Sequence, residues 1–588
     1  MLPSSTDAEG PRSSNLRRWG PLAVIVVILL VIGAIVLATR NSNDNKKPAA
    51  TASTEPVLST GAITYNQGKD RKDLTFPSTC DTSTGNVAIP TSYPAECFAN
   101  QPAQTDPGTQ GVTNDSVTVV VYVAPDTDPI LDFITAAIQD NDTGDQVQET
   151  YQGYNDLYQA FYQTYGRKVN LKFLRASGTS DDAVAARADA VKASEEMGAF
   201  AVWGGPALTS AWTQELNARG VQCLGCFGID TPAPNVFAIG PSSEQASAQL
   251  TEYVSKRLNN KPAQFAGDPA MKTENRVFGH LFITTTGGTE QQNADALKTQ
   301  MSAAGVKLDP QVAYTLDPAR LQEEATSVIS QFKQAGVTSI IFQGDPVAPA
   351  AFTQEATRQN YFPEWIIGPS ALVDTTAFGR TYDQQQWAHA FGISDLTARI
   401  DPQISDAFNL YQWFKGEPPP AIDTAGVLWP QPSLFYAALQ AAGPNLNANT
   451  FKAGLFSLPA VTGRTTTQVI TYGQHGFWPE GSSKATCQTP PCDDYNGIDD
   501  FTEIWWDATG TGPDEIRKDG TGIYQYSEGG KRFLPGTWTP DTHAFDKNGA
   551  VSIYQTPPPG EGPKNYPSPA SGGGSSGSSS TSSSSSGN

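Results

Sequence analysis

One stretch of this 588-residue chain is present twice, and that doubling limits its possible folds more than any other feature. Residues 191–227 read VKASEEMGAFAVWGGPALTSAWTQELNARGVQCLGCF, and residues 328–369 read VISQFKQAGVTSIIFQGDPVAPAAFTQEATRQNYFPEWIIGP. Each runs from a helix end through a glycine into an apolar strand, a glycine-containing turn, a helix and a second apolar strand. The wording recurs locally, WTQELNARG against FTQEATRQN. Two such units imply two similar α/β lobes, and two lobes on one chain make a cleft that the strand-end turns face.

The rest of the pattern agrees. Val117–Val123 (VTVVVYV) is a β-branched run suited to a strand buried on both faces, Val169–Leu174 is a second strand, and Val277–Ile283 a third, followed by a helix over Glu290–Ala304. Ser180 is expected to cap a helix with Asp181 and Asp182 in its first turn and Val184, Ala188 and Val191 as its apolar stripe. In the Arg320–Gly336 helix, Leu321, Ala325, Val328, Phe332 and Ala335 share one face. Further helices are expected at Ile404–Phe414, Pro432–Ala442 and Ala448–Phe456, and short strands near Gln468–Tyr472 and Phe501–Asp507. Strands alternating with helices give parallel sheets.

Pro21–Ala38 is an uninterrupted apolar run long enough to span a bilayer, with a cleaved signal ending at Ala38 as the alternative. Arginines and lysines flank both of its sides, so the positive-inside rule gives no orientation. The six cysteines fall into close pairs, Cys80 with Cys97, Cys223 with Cys226 and Cys487 with Cys492, which fits an oxidising compartment and places the large domain outside. The expected order is a cytoplasmic head at 1–20, a transmembrane anchor at 21–39, an extracellular stalk at 40–112, the folded body, and a disordered Ser/Gly-rich tail at 557–588. Net charge is -21, and because the first 40 residues carry +2 the remainder stands at -23. So acidic a body excludes a nucleic-acid partner.

Several segments resemble one family. GVTNDSVTVVVY, YGRKVNLKF, WGGPALTS, FQGDPVAPAAF, WIIGPSAL, EIWWD and GKRFLPGTW occur in the order seen in type I periplasmic binding proteins, the branched-chain amino-acid-binding class of ABC importer receptors. The resemblance covers roughly residues 110–540, and the stalk with Cys80 and Cys97 resembles that of membrane-anchored, actinobacterial-type members. It implies two Rossmann-like lobes joined by three crossovers, one from 113–240 plus 395–460 and the other from 241–394 plus 461–540. It also implies a small-molecule ligand in the cleft, amino-acid-like or a carboxylate or amide, permease subunits as partners, no cofactor and no enzymatic activity. The alternative is a sensing or structural surface protein with an altered cleft.

Candidate ligand residues follow from the strand-end turns. Thr209 and Ser210 open a helix, where hydroxyls and free N–H groups suit a carboxylate; a plain helix cap is the alternative. Asp126 and Thr127 follow the first strand, and Gly228 and Asp230 follow the strand after Cys223. In the second lobe, Asp345 and Ser370 end two strands, and Thr286 and Gly287 lie in the turn TTTGGTE. Amino-acid-binding members carry an acid at the position of Ser370, and a neutral hydroxyl cannot pair with an ammonium as a carboxylate does. Trp203 and Trp365 read as core.

Cys223-Leu-Gly-Cys226 reads as a structural disulfide, with redox thiols or a zinc site shared with Cys487 and Cys492 as alternatives. Cys492–Glu503 partly follows a calcium-loop template, but its first position is Cys, and an acidic surface loop is the plainer reading. Ahead of the Ser/Gly-rich tail the chain has no HExxH, GxSxG or P-loop.

Overall fold

The computed structural model describes residues 60–125, 127–226, 233–285, 288–473, 493–540 and 545–571. All lie in one unit, Leu58–Asn588. The apolar run at 21–39, Cys487 and Cys492 lie outside the described residues. Among the described residues no helix is long and apolar enough to cross a membrane.

Two sheets organise the body. In the first, β1 (Ser116–Val123), β2 (Lys168–Arg175), β3 (Ala201–Trp203), β4 (Gln222–Leu224) and β5 (Val236–Phe237) pair in the order β2-β1-β3-β4-β5, every pair parallel. In the second, β6 (Phe278–Ile283), β7 (Leu308–Tyr314), β8 (Ser339–Gln343), β9 (Glu364–Ile367) and β10 (Ala390–Ser394) repeat that order as β7-β6-β8-β9-β10, again parallel. This sheet is then extended antiparallel by β11 (Phe501–Pro513) and β12 (Asp519–Tyr526), with β13 (Arg532–Phe533) beside β11. The sequence repeat therefore occupies the same third and fourth positions of each doubly wound unit.

Among the described residues, helices of eight or more residues are α1 (Pro129–Ile138), α2 (Gly144–Phe161), α3 (Ala183–Val191), α4 (Ala211–Ala218), α5 (Ser243–Tyr253), α6 (Glu290–Ala303), α7 (Leu321–Gln334), α8 (Ala348–Arg358), α9 (Asp406–Lys415), α10 (Pro430–Ala441) and α11 (Ala448–Phe456). Alternation along the strands feeds a core on each face. Val119 and Val121 meet Tyr154, Phe435 and Phe451 on one side of the first sheet, and Val120 meets Ala190, Trp212 and Leu216 on the other. In the second sheet, Ile340 and Phe342 pack with Phe332 and Phe352 of α7 and α8, while Ile341 packs with Leu250 and Met301 of α5 and α6.

The chain passes from the first sheet to the second after Phe237, returns between Ser394 and α9, and crosses again between α11 and β11. A fourth passage is added by the C-terminal segment. Ile553–Tyr554 pairs with Arg399–Ile400, the Tyr566 hydroxyl donates to Asp81 at 2.8 Å, and the Trp413 indole donates to the Tyr566 carbonyl at 2.9 Å.

Four expectations change here. Residues 60–112 are not a separate stalk, because Val87, Ile89 and Val112 belong to the core of the first lobe. The disordered tail does not begin at Pro557, since Glu561 accepts from Thr466 at 3.0 Å and Lys564 pairs with Asp81. Asp182, not Ser180, caps α3, whose Val184 is exposed while Ala186 and Ala190 are buried. Gln468–Tyr472 makes isolated bridges rather than a strand. The two described cysteine pairs are disulfides, Cys80–Cys97 and Cys223–Cys226, with Cα separations of 5.7 and 5.9 Å, which leaves no thiolate there for zinc.

Candidate functional site

At the carboxyl ends of the first sheet, Asp128 ties three loops together. One carboxylate oxygen accepts from the Ser180 N–H at 2.6 Å, and the other caps α1 through the N–H groups of Ile130 and Leu131 at 3.0 and 3.2 Å. The Ser180 carbonyl in turn accepts from the Leu208 N–H at 3.2 Å. The turns after β1, β2 and β3 are thereby held in register around one buried carboxylate. Candidate selection missed Asp128, although Asp-Pro ahead of an apolar helix is a cap signature.

Thr209 and Ser210 sit on the third of these turns, and both are buried. The Thr209 hydroxyl accepts from the Ala211 N–H at 3.2 Å, and the Ser210 hydroxyl accepts from the Gln214 amide at 2.8 Å. Leu208, immediately before them, packs against the core of the second lobe, so this turn lies at the boundary between the lobes. Thr127 is exposed. Asp126, Gly228, Asp230, Thr286 and Gly287 lie outside the described residues.

In the second lobe, Asp345 follows β8 and is buried. One of its oxygens accepts from the Tyr314 hydroxyl at 2.5 Å, the other from the N–H groups of Val347 and Ala348 at 2.8 Å each. Burial raises its pKa above the ordinary carboxylate range, and these hydrogen bonds oppose the rise. The Ser370 hydroxyl accepts from the Gly344 N–H at 3.2 Å and donates to the Gly368 carbonyl at 3.0 Å, stitching the end of β8 to that of β9. Thr285, beside the undescribed pair, donates to Glu290 of α6 at 2.7 Å. The polar groups that end these strands are thus largely engaged within their own turns.

Unspent capacity lies elsewhere. The Trp203 indole N–H, the Ser180 hydroxyl and the Gln431 amide oxygen are buried with no hydrogen-bond partner among the described residues. Trp203 ends β3 with its ring 5.6 Å from Phe435, one turn along α10 from Gln431, and Gln431 lies against Gly225 at the end of β4. A buried polar group without a partner is costly, so these three are the strongest described candidates for contact with a bound molecule or water. Trp365, by contrast, donates its indole N–H to Gln386 at 3.1 Å and is core.

No family profile and no curated protein matches this chain. Solved structures do align. A fatty acid ABC transporter substrate-binding protein from Thermomonospora curvata aligns at 12% identity over 75% of this chain and 99% of that one, with a TM-score of 0.46. The branched-chain amino acid transporter substrate-binding protein LivJ from Streptococcus pneumoniae, in complex with isoleucine, aligns at 11% over 70% and 100%, TM-score 0.45. A solute-binding protein of an ABC transporter from Rhodopseudomonas palustris, in complex with 3,4-dihydroxybenzoic acid, aligns at 11% over 72% and 98%, TM-score 0.46. These neighbours are type I periplasmic binding proteins of ABC transporters.

The acidic run after Cys492 is not a surface loop, and it does not form a calcium site. Asp494, Asp499, Asp500 and Glu503 are all buried. Asp494 and Asp499 accept from the Gln245 amide at 2.9 and 3.2 Å, Asp500 pairs with Arg532 at 2.8 Å, and Glu503 pairs with Arg257 at 2.8 Å. Gln245 thus bridges two of the carboxylates and an arginine holds each of the other two, at the third passage between the lobes. A separate group, Asp140, Asp142 and Asp423, brings carboxylate oxygens within 4.8 Å of one another. Asp142 accepts from the N–H groups of Asp423 and Thr424 at 2.8 and 2.7 Å, which accounts for its place.

Proposed function

We propose that this protein is an extracytoplasmic solute-binding receptor of an ABC-type importer, tethered by the apolar segment at 21–39, which captures a small molecule between its two lobes and presents it to permease subunits. The observation that carries the reading is the twofold recurrence of the strand order 2-1-3-4-5, with the chain passing repeatedly between the two sheets. In open α/β sheets, ligands bind outside the carboxyl ends of the strands, where the strand order reverses. The disulfides Cys80–Cys97 and Cys223–Cys226 support an extracytoplasmic body.

The ligand is a carboxylate or amide rather than an α-amino acid. Ser370 offers no charge, and Asp345 already serves Tyr314 and the start of α8, so neither is free to pair with an ammonium. Ligand contacts on the first lobe come from the Thr209–Ser210 turn and from Trp203 and Gln431.

A thermal-shift screen of the purified protein against amino acids, aliphatic and aromatic acids and amides tests this directly. Ligand at about a hundredfold its dissociation constant adds about 2.7 kcal/mol of stability and raises the melting point by several degrees. Thr209→Ala and Ser210→Ala then weaken binding of the hit. A flat screen across all classes would shift the reading to a surface protein whose cleft holds no small ligand.

A further inference from the structure

The two lobes are fastened together by side chains as well as by the passages of the chain. The tip of the β11–β12 hairpin is a rigid platform built on the second lobe. Asp514 accepts from the N–H groups of Ile516 at 3.1 Å and Lys518 at 2.8 Å, and it pairs with Arg380 at 3.2 Å. Glu515 caps the helical turn Thr376–Gly379 through the N–H groups of Thr376 and Ala377, at 3.0 and 2.9 Å. Arg517 holds a left-handed backbone with φ of 68°, which turns the chain back into β12. Such a tip presents its next two side chains in a fixed direction.

Those side chains reach the first lobe. Arg517 pairs with Asp423 at 2.9 Å, both largely buried, and its guanidinium lies 6.0 Å from the Phe408 ring of α9. The Lys518 ammonium donates to the Ile138 carbonyl at 2.7 Å and to the Gln139 carbonyl, at the last turn of α1. A cation there satisfies orphan carbonyls and complements the helix dipole. Asp140, in the loop just beyond, feels the charge of Lys518, and it groups with Asp142 and with Asp423, the partner of Arg517. Meanwhile α1 lies across the lobe boundary. Ile130, Ile134, Ala137 and Ile138 pack against the core of the second lobe, and α1 meets the Thr376–Gly379 turn that Glu515 caps.

We propose that the hairpin tip Asp514–Lys518 is an interlobe latch, which grips α1 and Asp423 and holds the lobes together, so that the lobes part only when Arg517 and Lys518 release. The lock is ionic and partly desolvated, and it stands beside the second passage, where Arg399 pairs with Glu515 at 3.2 Å. The inference does not depend on the identity of any ligand, because the contacts are made by the chain alone.

Hydrogen exchange followed by mass spectrometry, on the full chain in detergent without ligand, tests it. Peptides covering 129–138 and 372–379 report the two faces that α1 joins, and β8 at 339–343 reports the fold. In the Arg517→Gln/Lys518→Gln variant both faces are expected to exchange about tenfold faster, with β8 unchanged, because separation of the lobes is a local opening. Faster exchange confined to the hairpin, or no change on either face, overturns the latch. If β8 also loses protection, the single variant Asp423→Asn and a salt titration of the wild-type chain decide by the same criterion, since raising ionic strength tenfold shortens the screening length about threefold and weakens an ionic lock. Unchanged exchange on both faces there overturns the proposal equally.

Discussion

The Tyr314 hydroxyl and the Asp345 carboxylate are 2.5 Å apart, and the Asp345 N–H donates back to the same phenolic oxygen at 3.0 Å. This reciprocal pair joins the end of β7 to the turn after β8, while the other carboxylate oxygen opens α8. The residue that sequence reasoning offered as a ligand acceptor is a structural cap.

Asp345→Ala should therefore destabilise the second lobe. It removes a helix cap and strands a buried tyrosine hydroxyl, together about 2–3 kcal/mol. Asp345→Asn keeps an acceptor for the cap and should cost less. Urea unfolding of the two variants orders them. Loss of ligand affinity in Asp345→Asn with no loss of stability in either variant would instead return Asp345 to the binding site.

The disulfides give a second ordering. Cys80–Cys97 has a sequence separation of 17 and Cys223–Cys226 of 3. On loop-entropy grounds the longer bridge contributes about 3 kcal/mol and the shorter about 2. The double variant Cys80→Ala/Cys97→Ala should melt lower than Cys223→Ala/Cys226→Ala, both being read by circular dichroism under non-reducing conditions. The reverse order would mean that residues 60–112 are held to the first lobe by packing of Val87, Ile89 and Val112 rather than by the crosslink.

The repeat was legible because it is local: a glycine-flanked apolar strand, a turn and a helix are written within some forty residues, and β3-α4-β4 and β8-α8-β9 follow that text. The same holds for α7, whose buried residues Leu321, Ala325, Val328 and Phe332 fall on the expected stripe. What failed to read was non-local. Residues 60–112 show no periodicity, since single residues such as Val87 and Ile89 plug a core built from helices hundreds of residues away. The run Asp494–Glu503 reads as a solvated loop because its partners, Gln245, Arg257 and Arg532, are distant in the chain or carry no signal of pairing. In α3, Ala186 and Ala190 face the core beside Trp212 and Leu216, while Val184 faces water. At the site, Asp128 was legible as a cap but was passed over for its neighbours Asp126 and Thr127. The Trp203 and Gln431 orphans are invisible without coordinates.

A buried ion pair makes the third prediction. Arg276 and Glu364 are joined by two hydrogen bonds, at 2.7 and 2.9 Å, with both side chains removed from solvent. Glu364 also accepts from the Ser339 hydroxyl at 2.6 Å and the Phe265 N–H at 3.1 Å, so four donors converge on one carboxylate at the start of β9. Breaking such a pair leaves an uncompensated buried charge. Arg276→Met is expected to cost about 3–5 kcal/mol, while Arg276→Met/Glu364→Gln recovers much of that loss. Equal destabilisation in the single and double variants would locate the cost in lost packing instead.

The acidic passage between the lobes should make stability fall as pH rises. Burial, opposed by the Gln245 amide and by the Asn496 N–H, pushes Asp494 up to about 7. Burial likewise lifts Asp499 to about 8, with the charges of Asp494 and Asp500 adding to the rise and the Thr471 hydroxyl opposing it. Arg532 is committed to Asp500 at 2.8 Å, and the groups that touch Asp494 and Asp499 directly are neutral. A carboxyl whose pKa is higher folded than unfolded holds more protons in the native state across that interval. Its favourable contribution is complete below the unfolded value near 4 and is lost as pH climbs through the folded value. The melting temperature of the wild-type chain should thus decline between about pH 5 and 8 relative to Asp494→Asn/Asp499→Asn, whose amides keep the hydrogen-bonding shape without titrating. The gap between the two curves should widen steadily toward alkaline pH. A gap that stays constant, or that closes as pH rises, would show that these two carboxyls are ionised in the native protein and that the passage contains counter-charge beyond Arg532.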